Sequence, residues 1–149
     1  MLKGIDPLLT PDLLWILAAM GHGDDIAIVD ANFPAEAVAR ATVSGRLVRL
    51  PELKLSRAVQ AVLKLLPIDT FVSDPVRRME VVGDPDTVPP IQQEVQRVVD
   101  TAAGIALPAE GVERFAFYDA ARKAFAVVQA GDLRPYGCFL IRKGVILAD

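Results

Sequence analysis

The sequence predicts an α/β fold, a single three-layer domain over residues 1–149 with a largely parallel central sheet flanked by helices. Three features predict it. Helix-like and strand-like patterns alternate along the chain, the order expected when helices cross between strands of one sheet. The run Asp25-Ile26-Ala27-Ile28-Val29-Asp30 is apolar at successive positions, which marks a strand buried on both faces, as in parallel sheets. A chain of 149 residues, 52% hydrophobic and 23% charged, has enough apolar surface to build a core and is not a disordered composition.

The elements follow in order. Thr10-Pro11-Asp12 is a helix start, with an N-cap hydroxyl, proline at the first helical position and a carboxylate in the first turn. The helix runs to Met20, where Gly21 is expected to end it in a left-handed conformation. It is apolar nearly all round, so cover on more than one side is expected. Its apolar run, Leu13 to Met20, is far short of the ~20 residues of a membrane span. Asp25–Asp30 is the central strand, Pro34–Arg40 a short helix and Leu47–Leu50 a strand. From Ser56, residues Val59, Val62, Leu63 and Leu66 take the spacing of an amphipathic helix, which Pro67 closes. Val76–Val82 reads as a strand, and the proline-rich segment 83–90 as a stiff loop. Pro90 then opens a helix with Ile91, Val95, Val98, Val99 and Ala102 on one face and Gly104 past its end. Leu107–Gly111 reads as a loop and Phe115–Lys123 as a helix. Phe125–Val128 and Phe139–Ile141 are the last strands, separated by a turn through Gly131 and Pro135.

Bulk properties exclude several functions. A net charge of −3 and a pI of about 5.2 argue against nucleic acid, whose phosphates require a basic surface. Arg77-Arg78, the densest basic pair, is too short to form one. The single cysteine, Cys138, forms no intramolecular disulfide and suits a reducing cytoplasm. Residues 1–7 carry no signal-like apolar run, so a cytoplasmic protein with no membrane partner is expected. One histidine and one cysteine make no metal-ligand pattern. The dinucleotide fingerprint, phosphate loop and Gly-x-Ser-x-Gly elbow are missing, so no metal and no cofactor are expected. A mean hydropathy of +0.35 is high for a small domain, and subunit interfaces are the natural place for that apolar surplus.

The sole histidine lies in Gly21-His22-Gly23-Asp24-Asp25, a loop leading into the central strand. Histidine is the side chain whose unperturbed pKa lies near neutrality, and flanking glycines let another molecule approach closely. Asp30 closes the far end of the same strand.

Three blocks carry a resemblance that spans the chain. Met20-Gly21-His22-Gly23-Asp24 continues through Asp30-Ala31-Asn32-Phe33-Pro34. Arg114-Phe115-Ala116-Phe117-Tyr118 continues to Lys123-Ala124-Phe125-Ala126. Tyr136-Gly137-Cys138 is followed by Arg142-Lys143-Gly144-Val145. Together they resemble the sugar mutarotase family that includes L-fucose mutarotase and D-ribose pyranase. Gly-His-Gly-Asp and Arg114 match the fucose branch, since the ribose branch has Gly-His-Thr-Asp and a histidine at the arginine position.

The resemblance implies an isomerase that interconverts α and β anomers of a monosaccharide, L-fucose foremost, through the open-chain form. It implies that His22 is the catalytic proton donor and that Asp30, Arg114, Tyr136, Gly137 and Cys138 bind substrate. It also implies a homo-oligomer, with rings of five subunits paired into decamers. Two alternatives stand: a D-ribose pyranase-type isomerase, and a non-catalytic monosaccharide-binding or transport-accessory protein.

Each site residue also has a plain structural reading. Asp30 reads equally as a strand-end or capping carboxylate, Arg114 as half of a surface ion pair, and Phe115, Phe117 and Tyr118 as core. Cys138 stands where the family usually has asparagine; it reads either as a changed sugar contact or as a small buried residue opening a strand. Five extended residues between His22-Gly23-Asp24 and Asp30 would span about 17 Å. A site built from both groups therefore draws on two subunits, unless the glycines fold the loop back along the strand.

Overall fold

A computed structural model of the chain describes residues 2–148. Strands β1 (Asp25–Val29), β2 (Leu47–Leu50), β3 (Val76–Met79), β4 (Glu110–Val112), β5 (Ala126–Ala130) and β6 (Cys138–Arg142) form one sheet in the order β2-β5-β1-β6-β3-β4. Only β6 runs against its neighbours; the β1–β5, β2–β5 and β3–β4 pairings are parallel. The mostly parallel sheet expected from the sequence is therefore present, with β1 in its middle.

Helices α1 (Pro11–Ala19), α3 (Leu55–Leu63) and α4 (Pro90–Ala103) cover one face, packing on Ile26, Ile28, Phe139 and Ile141. Helices α2 (Ala35–Ala41) and α5 (Arg114–Arg122) cover the other, against Ala27, Val29, Val127 and Leu140. Alternate β1 residues feed opposite cores, and Ile26 to Val29 are all completely buried. That is the physical origin of the uninterrupted apolar run.

Thr10 Oγ1 accepts the Leu13 N–H of α1 at 3.2 Å, the cap expected from the sequence. The cap of α5 is Glu113, which the sequence reading did not name and which accepts from the Phe115 and Ala116 N–H groups, each at 3.0 Å. Gly104 ends α4 in the left-handed region at φ 70°. The end of α1 departs from expectation. Gly21 is not left-handed; Met20 turns extended at φ −60°, ψ 139°, and the positive φ falls on Gly23, at 88°. The Lys143 ammonium supplies the reason, donating to the carbonyls of Leu17 (2.8 Å) and Met20 (2.6 Å). A cation on the last carbonyls does the work that a left-handed glycine does elsewhere. Nor is α1 covered on a second side within this chain: Leu13, Ile16 and Leu17 are buried, while Trp15 is half-exposed beneath the Arg46 guanidinium.

Strand boundaries also differ, by one residue at the end of β1 and at each end of β6 and by more elsewhere. β3 ends at Met79, short of Val82, because residues 81–84 close a turn directly after the last β3–β4 bond, from the Glu80 N–H to Val112 O. The segment read as a loop at Leu107–Gly111 contributes to β4, a three-residue edge strand too short to leave a periodic signal. β5 runs on to Ala130.

Residues 131–137 do not form a hairpin turn. Because β1 lies between β5 and β6, this segment has to cross the carboxyl end of β1. It is fastened on the way. The Ala31 N–H donates to Asp132 O (2.9 Å), and Asp132 Oδ2 accepts the Leu55 N–H at the start of α3 (3.2 Å). Arg134 bridges Asp132 (2.8 Å) and both carboxylate oxygens of Glu94 (2.8 and 2.9 Å). At Gly131 a Cβ would fall 1.7 Å from Pro51 O, so no other residue fits.

Hydrogen bonding to Arg134 holds the buried Asp132 carboxyl down at about 2, from an ordinary 3.8. A depressed carboxylate stabilises the fold above its unfolded pKa and loses that contribution as pH falls through the folded one. Unfolding free energy should therefore drop by about 2 kcal/mol between pH about 4 and about 2 on account of this group. Denaturant titrations of the unmutated protein and Asp132→Asn across that window check it; the variant should show a correspondingly flatter profile.

Candidate functional site

The chemistry-bearing residues gather at the two ends of β1. At its amino end the Gly23 N–H donates to Lys143 O and the Lys143 N–H to Asp24 O, both at 2.9 Å. These bonds carry the β1–β6 pairing past Asp25, and His22 lies beyond them in a turn closed by the Asp24 N–H on Gly21 O (3.2 Å). Gly21 N–H to Asp24 Oδ2, at 2.7 Å, tightens the turn.

The half-exposed His22 ring has Nε2 3.2 Å from Oδ2 of Asp69, whose own side chain is 2% exposed. A carboxylate accepts, so this contact places the ring proton on Nε2 and leaves Nδ1 as the free nitrogen. Phe71 stands edge-on to the ring at 5.7 Å between centroids. Asp69 is itself fixed: its N–H donates to Arg142 O (3.0 Å), and its Oδ1 accepts the Phe71 N–H (2.9 Å). Gly144 admits this segment, since a Cβ there would lie 2.6 Å from Ile68 O. Beneath the loop, Arg77 and Arg142 both pair with Asp25.

At the carboxyl end Asp30 is 2% exposed. Its Oδ1 accepts the Asn32 N–H and its Oδ2 the Gly137 N–H, each at 2.8 Å, with Cys138 Sγ 3.6 Å from Oδ2. Burial pushes the Asp30 carboxyl above its ordinary value against the pull of these donors. Burial, then the Asp30 charge, raises the Cys138 thiol well above its own. Asp30, Asn32, Arg114, Tyr118, Tyr136 and Cys138 line a cavity of about 260 Å³, with Phe33 and Met79 as apolar walls. It lies outside the carboxyl ends of the parallel strands, where open α/β sheets hold ligands. A larger groove of about 580 Å³ between α3 and α4 is lined by exposed charged chains such as Lys54, Lys64 and Arg97; it lacks such a buried, prearranged polar group.

Five of the six residues singled out in the sequence thus converge. Asp30, Arg114, Tyr136 and Cys138 line the cavity, and Gly137 builds it from behind, its N–H engaged by Asp30. His22 does not join them. Arg114 is exposed and its Nε donates to the Tyr118 hydroxyl at 3.1 Å. The aromatic block divides: Phe117 is core, T-shaped against Phe33; Phe115 is 66% exposed; Tyr118 faces the cavity. Cys138 meets its plain structural reading, a buried residue that opens β6, and its thiol also touches Asp30 and lines the cavity.

Sequence reasoning missed Asp69, Phe71, Asn32 and Met79. Asn32 lay inside a quoted block, two residues past Asp30. Asp69 had no local signal, lying 47 residues from its partner.

The single histidine makes the Asp69 contact directly observable. ¹⁵N shifts of the neutral His22 ring should report the Nε2–H form, and Asp69→Ala should convert it to a mixture of both tautomers. Unchanged shifts would mean that Asp69 does not orient the ring.

Residues 3–146 match the RbsD / FucU transport protein family. Human fucose mutarotase is 40% identical over 148 residues, covering 97% of this chain and 94% of the human protein. The crystal structure of protein Atu2016 superposes with a TM-score of 0.96 at 49% identity, covering 99% of this chain and 97% of that one. The fucose mutarotase of Streptococcus pneumoniae, solved in complex with L-fucose, superposes with a TM-score of 0.87 at 29% identity over 98% of this chain and 100% of its own. By fold, by sequence and over nearly its whole length, this chain belongs to the RbsD / FucU transport protein family.

Proposed function

We propose that this protein is a mutarotase that interconverts the α and β anomers of L-fucose. The observation that carries the reading is the Asp30 cavity: a buried carboxylate, an arginine and two tyrosines around about 260 Å³. That is below the roughly 300–1,000 Å³ of clefts for drug-sized ligands and suits one sugar ring. The likeness to a fucose mutarotase solved with L-fucose supports the choice of sugar.

The reaction balances without a co-reactant. One group takes the anomeric hydroxyl proton while another protonates the ring oxygen, and the bond between C1 and the ring oxygen breaks to give the aldehyde. Rotation about C1–C2 and the reverse proton transfers close the other anomer. His22 is the proton carrier, through the nitrogen that Asp69 leaves free. Asp30 accepts hydrogen bonds from the sugar hydroxyls on a carboxylate already held by the Asn32 and Gly137 N–H groups. Arg114, Tyr118, Tyr136 and Cys138 surround the remaining hydroxyls, and Phe33 and Met79 offer an apolar wall for the C6 methyl.

His22 and Asp30 lie at opposite ends of a straight strand, about 17 Å apart by its length. The working site therefore combines the Asp30 cavity of one subunit with His22 of another. Exposed Leu2, Trp15, Leu133, Ile146 and Leu147 supply apolar surface for such contacts. The assembly we propose is the decamer of paired five-membered rings, in the cytoplasm, with the buried thiol of Cys138 reduced.

Saturation-transfer NMR on the anomeric protons of L-fucose tests the activity. Exchange between α and β signals should accelerate with this protein, and His22→Ala should lower the rate by about 10²–10⁴-fold in a protein that still folds. Binding of L-fucose without acceleration would leave a sugar-binding protein in place of an enzyme; acceleration with D-ribose alone would move the protein to the pyranase branch.

A further inference from the structure

Gln92, the third residue of α4, carries a primary amide and is 1% exposed. Such a group is costly to bury unless its hydrogen bonds are made, and here they all serve one purpose. Nε2 donates to Met79 O at 2.7 Å and to Tyr136 O at 2.8 Å. Oε1 accepts from Arg78 Nη1 at 3.3 Å. Guanidinium only donates and carbonyls only accept, so the amide has a single orientation that satisfies all three partners.

The carbonyl of Tyr136 and the N–H of Gly137 belong to one peptide plane. Gln92 grips that plane by its oxygen, and its N–H reaches Asp30 Oδ2 at 2.8 Å. A continuous path therefore runs from Arg78 through the Gln92 amide and the 136–137 peptide to the carboxylate in the cavity.

The grip is needed. Tyr136 has φ 64°, the only positive value on a non-glycine among the described residues, and a bulky residue there is strained unless its surroundings fix it. Gly137 is pressed against α4 and Asp30; a Cβ on it would fall 2.5 Å from Ile91 Cδ1 and 3.1 Å from Asp30 Cβ.

We infer that Gln92 is a positioning residue for sugar binding: it touches no sugar, and it sets the Tyr136–Gly137 peptide that orients Asp30 and aims the Tyr136 ring. The inference rests on the mutarotase reading of this cavity and adds to it a determinant lodged in a helix behind the site.

The test uses two variants of the full-length protein beside the unmutated one, with L-fucose as the probe. Gln92→Met keeps the volume and removes every hydrogen bond of the amide; Arg78→Met removes the partner that fixes its orientation, together with the bond from Arg78 Nη2 to Pro85 O (3.3 Å). KM for anomer exchange should rise about tenfold in Gln92→Met, the loss expected when a hydrogen bond to a charged group is released. It should rise less in Arg78→Met, and kcat should change little in both. Hydrogen exchange followed by mass spectrometry should quicken in the segment around residues 133–139 while α4 and the core strands keep their protection. Exchange that quickens throughout the molecule, or an unchanged KM in the folded variants, overturns the inference. Should Gln92→Met fail to fold, Arg78→Met alone decides by the same two readouts. No anomer exchange by the unmutated protein overturns the functional reading and this inference with it; exchange with unmoved variants overturns this inference alone.

Discussion

The rigidity of β1 governs everything built around it. Ile26 to Val29 are shut off from solvent on both faces, with β5 bonded along one edge and β6 along the other. A strand so enclosed cannot bend without breaking two ladders and two cores, so its length fixes the separation of the groups at its ends. His22 and Asp30 are those groups. Hydrogen bonds to Lys143 hold the histidine turn at the amino end of that ladder. On the proposed reading, a stiff rod with the proton carrier at one end and the sugar-binding carboxylate at the other would make each subunit half of two sites.

The second consequence of that central strand is the depth of Asp30. Because β5 and β6 flank β1, their connection has to pass over its carboxyl end, and residues 131–137 close on Asp30 as they do so. The crossing is held from several sides, by Asp132 at α3, by Arg134 and Glu94, and by Gln92 from α4. The same passage strains Tyr136 and demands glycine at 131 and 137. Strain, burial and polar contact coincide at one place, as they do where a fold is shaped for binding rather than for stability alone.

Much of this was legible in the sequence, for identifiable reasons. β1 was readable because burial on both faces leaves an uninterrupted apolar run, and α1, α4 and α5 because caps and periodicity are local signals. β4 was not, since three residues at a sheet edge carry no period, and the end of α1 was misread because its cap is Lys143, more than a hundred residues away. The site shows the same division. Asp30, Arg114, Tyr136 and Cys138 lie in the short blocks that carry the family resemblance, and by residue type alone they read equally well as structural groups. Asp69 and Gln92 act only through distant partners, and nothing adjacent to either residue records the contact. The tertiary structure alone brings them to His22 and Tyr136.

The central claim is that a working site takes its proton carrier from one subunit and its buried carboxylate from another. Mixing two inactive variants, His22→Ala and Asp30→Asn, after co-refolding or co-expression measures this directly, with native mass spectrometry to verify mixed oligomers. In a symmetric assembly mixed at random, about one interface in four joins an intact His22 to an intact Asp30. The account therefore predicts that anomer exchange returns to about a quarter of the unmutated rate; mixed oligomers as inactive as their parents would place both residues in one site of one chain and contradict it.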